Sequence, residues 1–391
     1  MEMKNYLKST FSWLIIALIV MSNLENQAAN SVNGPVTRTW TNLAYASAST
    51  RNVLDIYLPP TGDGPFPVVI WIHGGAFKMG SKDNPQSKTA LNNAGFAVVS
   101  INYRYSSEAI WPAQLDDLKG VVKFLRANAS TYFLNTDKIG SWGASAGGHL
   151  SAMMGIAFAS DPETRIQACV DWFGPVDFYN MDADIALSGV SRCTGANGDA
   201  NSPESALIGV QVSTHKTESD NASPVVKATL LDASVNIPPF LIMHGGKDCN
   251  IGAKQSERLN EAINTKYGAT KSTYVFLANG THGGGDFTLA STEKTVIDFF
   301  TSKLLTVTAS PVIKVNECLT YPNPAKDKVY IRQGSLSETC TNFEISDING
   351  RLVKSGQVSG NSIDIIGLHG FYILKLKTAD KTIKTERITV Y

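Results

Sequence analysis

Short apolar segments alternate with stretches of helical periodicity along the chain from Leu54 onward. Residues 67–72 (Pro-Val-Val-Ile-Trp-Ile) and 96–101 are apolar at nearly every position, which is typical of strands buried on both faces of a sheet. The next such run, residues 139–142, is preceded by residues 116–128, in which leucine and valine recur at helical spacing. This order of strand, helix and strand predicts a parallel sheet covered by helices, and therefore an α/β fold.

The alternation lapses once before it resumes. Strand-like runs return at residues 168–173, 240–244 and 273–277, and residues 292–305 form a last amphipathic helix pattern. Between them, residues 178–222 are rich in serine, asparagine, glycine and aspartate and lack a strong period. We therefore expect a domain over residues 30–305, with 178–222 as a cap-like insertion over the carboxyl edge of the sheet, where ligands bind in such folds.

The pattern changes character after Leu305. Residues 306–316 are typical of a linker, and residues 317–391 alternate in period two around turn signals. Asn349-Gly350 stands between two strand-like runs and indicates a hairpin, and residues 371–376 form another strand pattern. The tail is predicted to be a small antiparallel β-sandwich of about 70 residues, and it has no cluster typical of a catalytic site.

The first 29 residues resemble an export signal. Lys4 and Lys8 precede an apolar run over residues 11–21, followed by small residues suited to cleavage. A membrane anchor is the alternative, but the run is about half of the roughly 20 residues that a spanning helix needs, and no later segment is apolar enough to span. Basic and acidic residues both number 34, so charge gives no reason to expect a nucleic acid partner.

A candidate nucleophile, Ser145, lies in the run Gly143-Ala144-Ser145-Ala146-Gly147. The Gly-x-Ser-x-Gly pattern is weak by itself, but here it follows a predicted strand and precedes a segment that can start a helix. This strand, turn and helix setting exposes a serine on a sharp elbow, and the amino terminus of the helix favours a developing negative charge. The alternative is a glycine-rich turn without chemistry.

A serine nucleophile needs donors for the oxyanion that forms during attack, on a loop that follows an earlier central strand. His73-Gly74-Gly75-Ala76 occupies that place. Backbone N–H groups of Gly74 and Gly75 are predicted to form the oxyanion hole together with that of Ala146. We interpret His73 as a residue that organises the loop, since no second metal ligand lies nearby in sequence.

The general base is sought among six histidines. His282 stands in the loop Gly280-Thr281-His282-Gly283-Gly284-Gly285, after the last predicted strand and before the last helix, where an imidazole can reach the serine. The acid is expected between serine and histidine, after the penultimate strand. Asp248 fits this position and would orient the imidazole and stabilise its charged form, while Asp177 is the competing acid.

Five cysteines make disulfides plausible in an exported chain, and their odd number leaves at least one thiol free. We predict one bond between Cys193 and Cys249, which would tie the insertion to the loop that carries Asp248. A second is predicted between Cys318 and Cys340 in the tail. Cys169 lies in an apolar strand and is expected to stay buried and free.

Several motifs between Leu54 and Leu305 resemble the α/β-hydrolase esterases of the acetyl-xylan and feruloyl esterase kind, a group that also includes formamidases. The matching pieces are Trp71-Ile72-His73-Gly74-Gly75-Ala76-Phe77 with Gly80-Ser81, Asn102-Tyr103-Arg104-Tyr105, Trp111-Pro112-Ala113-Gln114 with Asp117, Gly143 to His149, Ala222-Ser223-Pro224, and His244 with Asp248 and Gln255-Ser256. The resemblance implies a serine carboxylic-ester hydrolase that needs no cofactor and no metal. Thr281 departs from the small or glycine-rich residue often found before the histidine in this family.

The tail resembles the carboxyl-terminal sorting domains of the type IX secretion pathway. Tyr321-Pro322-Asn323-Pro324-Ala325, Asp347-Ile348-Asn349-Gly350-Arg351-Leu352-Val353 and Gly370-Phe371-Tyr372 carry the similarity. It implies export to the cell surface or the medium, with the secretion machinery as a partner. A carbohydrate-binding β-module is the alternative.

The predicted substrate is an ester of a short acyl group, such as acetyl or feruloyl, carried on plant polysaccharide or an aromatic alcohol. The insertion mixes its apolar residues with polar ones, which does not suit a continuous apolar groove for long chains. Four aromatic residues near the predicted site are expected to stack on the substrate: Phe77, Tyr103, Trp111 and Trp142. Amidase or formamidase chemistry and a non-catalytic carbohydrate-binding protein remain the alternatives.

Overall fold

A computed structural model describes residues 38–305, 319–321, 325–332, 341–358, 361–378 and 382–391. The chain divides into two compact units, Met1–Leu305 and Thr306–Tyr391, and each is described by itself. The expected signal peptide and linker lie outside the described residues.

The first unit is built on an eight-stranded sheet in the order β1-β2-β4-β3-β5-β6-β7-β8. Its strands are β1 Thr39–Ala44, β2 Val53–Tyr57, β3 Phe66–Ile72, β4 Ala97–Ile101, β5 Leu134–Ala144, β6 Ala168–Trp172, β7 Phe240–Gly245 and β8 Ser272–Leu277. Strands β3 to β8 are parallel, whereas β1 and β2 pair antiparallel at one edge. The sequence pattern did not indicate β1, a partly exposed edge strand.

Helices cover both faces of this sheet, which explains the continuous apolar runs. They are α1 Lys88–Asn93, α2 Ala113–Ala127, α3 Ala146–Ala157, α4 Met181–Leu187, α5 Pro203–Ile208, α6 Lys216–Asn221, α7 Pro224–Leu230, α8 Lys254–Tyr267 and α9 Ala290–Phe300. In β3, Val68 and Ile70 belong to the core on one face, and Val69 and Trp71 to the core on the other. Because successive side chains of a strand point to opposite faces, every position of β3 is apolar. The predicted α/β architecture is confirmed.

Two elements differ from the sequence expectation. Strand β5 begins at Leu134, earlier than the apolar run suggested, because its first residues pair with the start of β3. The predicted last helix over residues 292–305 divides into α9 and a π-helical turn, Thr301–Leu305. Residues Phe300 and Leu304 of this segment remain buried against the sheet.

The segment 178–222 forms short helical elements with irregular connections. It contains the 3₁₀ turns Phe178–Asn180 and Val212–Thr214 together with α4, α5 and α6. Helix α5 begins at a Ser202 N-cap, whose hydroxyl accepts the N–H of Ser205, and it ends at Gly209 with a left-handed φ of 78°. Such brief helices leave no extended hydrophobic period in the sequence.

The second unit consists of two antiparallel sheets. Strands β13 Ser362–Asp364, β10 Lys328–Arg332 and β9 Leu319–Tyr321 form one sheet, and β12 Leu352–Gln357, β11 Asn342–Asp347, β14 Gly370–Lys377 and β15 Thr382–Val390 form the other. Val329 and Ile363 of the first sheet share one buried core with Ile345 and Leu374 of the second, so the predicted β-sandwich is confirmed. The Asn349-Gly350 turn joins β11 to β12, with Gly350 at a φ of 85°.

Among the described residues, no helix combines the length and apolar character needed to cross a bilayer.

Candidate active site

Three side chains from three loops meet at the carboxyl edge of the sheet. Ser145 follows β5, Asp248 follows β7 and His282 follows β8. His282 Nε2 lies 2.9 Å from Ser145 Oγ, and His282 Nδ1 lies 2.7 Å from Asp248 Oδ2. With Asp248 ionised, an imidazole that carries its proton on Nδ1 satisfies both contacts and can accept the serine proton at Nε2.

The turn that carries Ser145 is strained. Ser145 has a φ of 57° and a ψ of −123°, a conformation that a residue with a side chain rarely adopts. A Cβ on Gly143 would lie 2.0 Å from the carbonyl oxygen of Gly147, and a Cβ on Gly147 would lie 2.0 Å from that of Ile72. Both glycines of the motif are therefore required for α3 to start directly beneath the serine.

Asp248 is held as a charged acceptor. One carboxylate oxygen accepts the backbone N–H groups of Asn250 and Ile251 at 2.9 and 3.0 Å, and the other accepts from His282. Burial by itself raises the pKa of Asp248, but the contacts with His244 and His282 outweigh burial and lower that pKa well below its usual range. The carboxylate thus remains ionised at neutral pH and can stabilise an imidazolium.

Asp177, the competing acid, has other partners. Its carboxylate accepts the side-chain amide of Asn180 at 2.7 Å, and its backbone N–H donates to Gln255. The structure brings Asp248 to His282 and places Asp177 in a separate hydrogen-bonding network that supports the start of the insertion.

The loop after β3 lies close to Ser145. A Cβ on Gly74 would lie 3.3 Å from Ser145 Cβ, and Gly75 has a φ of 115° that only glycine adopts readily. Ala76, with Ala146, lines the cleft above Ser145, whereas Gly74 and Gly75 are not among its lining residues. Ala76 was missed by sequence reasoning, although the His-Gly-Gly-Ala motif contains it.

His73 organises this loop, as its position in the sequence suggested. Its Nδ1 contacts the carbonyl oxygen of Gly74 at 2.6 Å, and its ring stacks on that of Tyr103 at a centroid distance of 4.5 Å. Burial lowers the pKa of His73 to about 4, so this imidazole is neutral at physiological pH.

A cleft of about 310 Å³ opens at Ser145 and His282. Nine residues of segment 194–204 line it, together with Asn250 and Ile251 of the loop that follows Asp248. The insertion therefore forms a large part of the cleft wall. Its individual lining residues carry no motif, and sequence reasoning could not select them.

The four aromatic residues expected at the substrate have different surroundings. Phe77 lines the cleft, but Trp111 lies in a separate surface cavity with Pro112. Tyr103 and Trp142 are fully buried, which corrects the expectation that they contact substrate. Trp142 packs between Trp71 and Trp172 in the core, and Tyr103 donates its hydroxyl to the carbonyl of His73.

Phe173 is a neighbour of the imidazole that the sequence did not suggest. Its ring centroid lies 4.7 Å from that of His282, and its backbone φ of 43° turns it toward the loop after β8. Asp171 supports this turn by accepting the N–H of Gly174 at 2.9 Å. No sequence signal marks such a contact, because the two residues are more than one hundred positions apart.

Comparison with known families places these motifs in a single group. The family model BD-FAE matches residues 54–263, more than half of the 391 residues. The chain belongs to the BD-FAE family. A second model, a secretion system C-terminal sorting domain, matches residues 319–391, so the chain joins a BD-FAE domain to a type IX sorting domain.

The similar proteins include a named carbohydrate esterase and a named carboxylic ester hydrolase. A solved structure named "Truncated form of carbohydrate esterase from gut microbiota" is 32% identical, with a TM-score of 0.60, over 69% of this chain and 97% of that one. "Bifunctional GH43-CE" of Bacteroides eggerthii is 31% identical, with a TM-score of 0.57, over 68% of this chain and 38% of that one. "Probable carboxylic ester hydrolase LipM" of Mycobacterium tuberculosis is 30% identical over 55% of this chain and 49% of its own length. The chain spans about half the length of the curated relatives it matches.

The BD-FAE domain contains the first predicted disulfide. Cys193 and Cys249 are bonded, with their Cα atoms 5.2 Å apart, and Cys169 is free and buried, so both predictions are confirmed. The predicted pair Cys318 and Cys340 lies outside the described residues. The bond joins Cys193, which directly precedes the cleft-lining segment 194–204, to Cys249, the residue after Asp248.

Removing this bond is expected to loosen the cleft wall. A Cys193→Ser, Cys249→Ser double variant should lose up to about 4 kcal/mol of unfolding free energy, since the bond closes a long loop. Denaturant unfolding with and without reducing agent measures this, because the variant should be insensitive to the reductant whereas the wild type should not. Non-reduced peptides in which both wild-type cysteines are alkylated would contradict the assignment.

Proposed function

We propose that this protein is a secreted serine carboxylic-ester hydrolase whose catalytic residues are Ser145, His282 and Asp248. The observation that carries the proposal is the continuous hydrogen-bonded line from Ser145 Oγ through His282 to Asp248, with separations of 2.9 and 2.7 Å. The names of the similar proteins, a carbohydrate esterase and a carboxylic ester hydrolase among them, support the same reaction class.

In the first half of the proposed reaction, Ser145 Oγ attacks the acyl carbon of the ester and His282 Nε2 takes its proton. The charge that develops on the carbonyl oxygen is stabilised by backbone N–H groups at the elbow and on the facing loop. We assign these donors to Gly74, Gly75 and Ala146, and we add Ala76, which lines the cleft. The imidazolium then gives its proton to the leaving alcohol as the C–O bond breaks.

In the second half, water replaces the alcohol. His282 accepts a proton from a water molecule while the oxygen of that water attacks the acyl carbon of the acyl-enzyme. The imidazolium then returns the proton to Ser145 Oγ as the carboxylic acid leaves. Asp248 keeps the imidazole oriented and stabilises its charged form in both halves. The scheme uses only residues of this chain and requires no cofactor or metal.

The proposed natural substrate is an acetyl or feruloyl ester carried by plant polysaccharide. Asn197, Asn201 and Ser202 give the cleft wall a polar surface, which suits a hydroxylated alcohol better than a long alkyl chain. The carbohydrate esterase among the structural relatives supports this choice.

A chain-length series of p-nitrophenyl esters tests the acyl preference. We expect kcat/KM to be highest for acetyl or butyryl esters and to fall steadily for longer chains, because polar residues such as Asn197, Asp199 and Asn201 interrupt the apolar lining of the cleft. Feruloyl methyl ester, measured in parallel, separates an acetyl from a feruloyl preference. A maximum at eight carbons or beyond would instead indicate a lipase.

The second unit is proposed to deliver the enzyme through the type IX machinery. The sorting-domain match supports a secreted or cell-surface location, and the proposed catalytic residues all lie in the first unit. Removal of residues 306–391 should abolish surface delivery while leaving esterase activity in cell extracts. A folded but inactive truncation would show instead that the tail helps to form the site.

Two alternative functions can be distinguished from ester hydrolysis by experiment. A non-catalytic carbohydrate-binding protein would not react with a fluorophosphonate probe, whereas we expect covalent labelling of Ser145. Formamidase or amidase chemistry uses the same residues, so it is separated by comparing kcat/KM on matched esters and amides with the same acyl group.

A further inference from the structure

Glu204 is a buried carboxyl group in the wall of the cleft that contains Ser145. Its exposed fraction is 5%, and it lines the cleft together with Asn197. It occupies the first turn of α5, which the Ser202 cap holds in place through a 3.0 Å hydrogen bond to the N–H of Ser205. The carboxyl group therefore has a fixed position in the wall of the cleft where the ester substrate is proposed to bind.

This carboxyl group accepts hydrogen bonds from its own backbone N–H and from Asn197. Its side-chain contact with Asn197 Nδ2 is 3.4 Å long, at the weak end of hydrogen-bond distances. Among the residues that the structure describes, no lysine or arginine forms an ion pair with it. Burial raises the pKa of Glu204. Since carboxyl groups are rarely buried without good partners, Glu204 retains capacity to accept hydrogen bonds from a ligand.

The neighbouring amide is oriented in advance. Arg192 donates to Asn197 Oδ1 at 2.8 Å and pairs with Asp182 at 2.6 Å, while Asp182 also accepts the backbone N–H of Asn197. With its oxygen occupied by Arg192, the Asn197 side chain directs its NH₂ group to Glu204. These contacts within the chain fix the position of the Asn197 side chain, which reduces the ordering cost of binding a ligand beside it.

The charge of the cleft favours a neutral ligand that donates hydrogen bonds. Asp199 and Glu204 are acidic residues in the lining of the cleft, and among the described residues no lysine or arginine lines it. An anionic group would be repelled there, whereas hydroxyl groups can donate to the carboxylates.

We propose that Glu204 is a specificity-determining residue that accepts hydrogen bonds from hydroxyl groups on the alcohol part of the ester while the acyl carbon lies at Ser145. The inference rests on the proposed ester hydrolysis and adds the group that recognises the alcohol. The ligand class is a neutral polyhydroxylated alcohol with a free hydroxyl close to the esterified one. Hydrogen bonds to a charged acceptor typically contribute about ten- to hundredfold in discrimination.

The experiment compares two esters of similar ring size. One is a monoacetylated methyl xyloside, which has free hydroxyls, and the other is cyclohexyl acetate, which has none. The ratio of their kcat/KM values is measured for the full-length wild type, Glu204→Gln, Glu204→Asp and Glu218→Gln. Glu218 is an exposed glutamate of α6 outside the cleft, so Glu218→Gln is the matched control.

We expect Glu204→Gln to lower the ratio at least tenfold, Glu204→Asp to give an intermediate value, and Glu218→Gln to leave it unchanged. Labelling of Ser145 by the fluorophosphonate probe identifies variants that fold with an intact site, and Glu204→Asp keeps the charge if Glu204→Gln fails to fold. A wild-type ratio in either folded variant, or an equal loss on both esters, would overturn the proposal. Absence of wild-type activity on both esters and on p-nitrophenyl acetate would instead overturn the proposed function.

Discussion

Replacement of Asp248 by asparagine is expected to lower kcat on p-nitrophenyl acetate by up to about 10⁴-fold, and Ser145→Ala should abolish turnover. The oxygen of asparagine would accept the N–H groups of Asn250 and Ile251, which leaves its NH₂ group facing Nδ1 of His282. The imidazole therefore loses both its productive tautomer and the charge that stabilises its protonated form. Thermal unfolding and circular dichroism establish that the variants are folded before kcat is compared.

Asp177→Asn provides the matched control for this experiment. Asp177 is also a buried aspartate after a parallel strand, but its carboxylate accepts from Asn180 and has no contact with His282 among the described residues. We expect its kcat to stay within tenfold of the wild type. The reverse result, a large loss in Asp177→Asn and a near-normal Asp248→Asn, would move the acid to Asp177.

The second large effect is expected from one methyl group at the elbow. In Gly147→Ala, the new Cβ would lie 2.0 Å from the carbonyl oxygen of Ile72 in β3, a distance that backbone atoms do not tolerate. Either α3 or β3 must shift, and Ser145 moves with α3. We expect a loss of about 3 kcal/mol in unfolding free energy, at the upper end of what overpacking typically costs. We also expect about a hundredfold loss of kcat, since a displacement of about 1 Å of a catalytic group can cost that much.

Gly120→Ala makes the same chemical change where there is room. Gly120 lies within α2, and its added Cβ would meet Tyr45 at 3.4 Å, an ordinary contact. This variant should retain full activity and gain slightly in stability, because alanine is a better helix former than glycine. Denaturant unfolding and kcat, measured for both variants, give the comparison. Wild-type activity in Gly147→Ala would show that the elbow is more flexible than its packing implies.

Signals confined to a few neighbouring residues were sufficient to predict much of the first unit. The apolar runs at β3 and β4 mark strands because burial on both faces leaves no position for a polar residue. The glycines around Ser145 mark a tight turn because that backbone geometry excludes side chains. In the tail, Asn349-Gly350 indicated its hairpin for the same local reason.

The sequence was a poorer guide to which side chains contact each other in the folded chain. Tyr103 and Trp142 were expected at the substrate because they lie close to the motifs in sequence, but their side chains point into the core, toward His73 and Trp71. Phe173 and Ala76 were not selected, although one packs on His282 and the other lines the cleft. Nearness in sequence does not determine which face of a strand or loop a side chain occupies.

The sequence by itself determined the type of fold and the tight turn that exposes Ser145, because periodicity and glycine requirements are properties of short segments. Only the tertiary structure decided that Asp248, and not Asp177, meets His282, and that segment 194–204 supplies the cleft wall with Glu204 in it. These choices depend on how loops from separate strands pack together. That packing is set by the sum of many long-range contacts, and no single stretch of sequence records it.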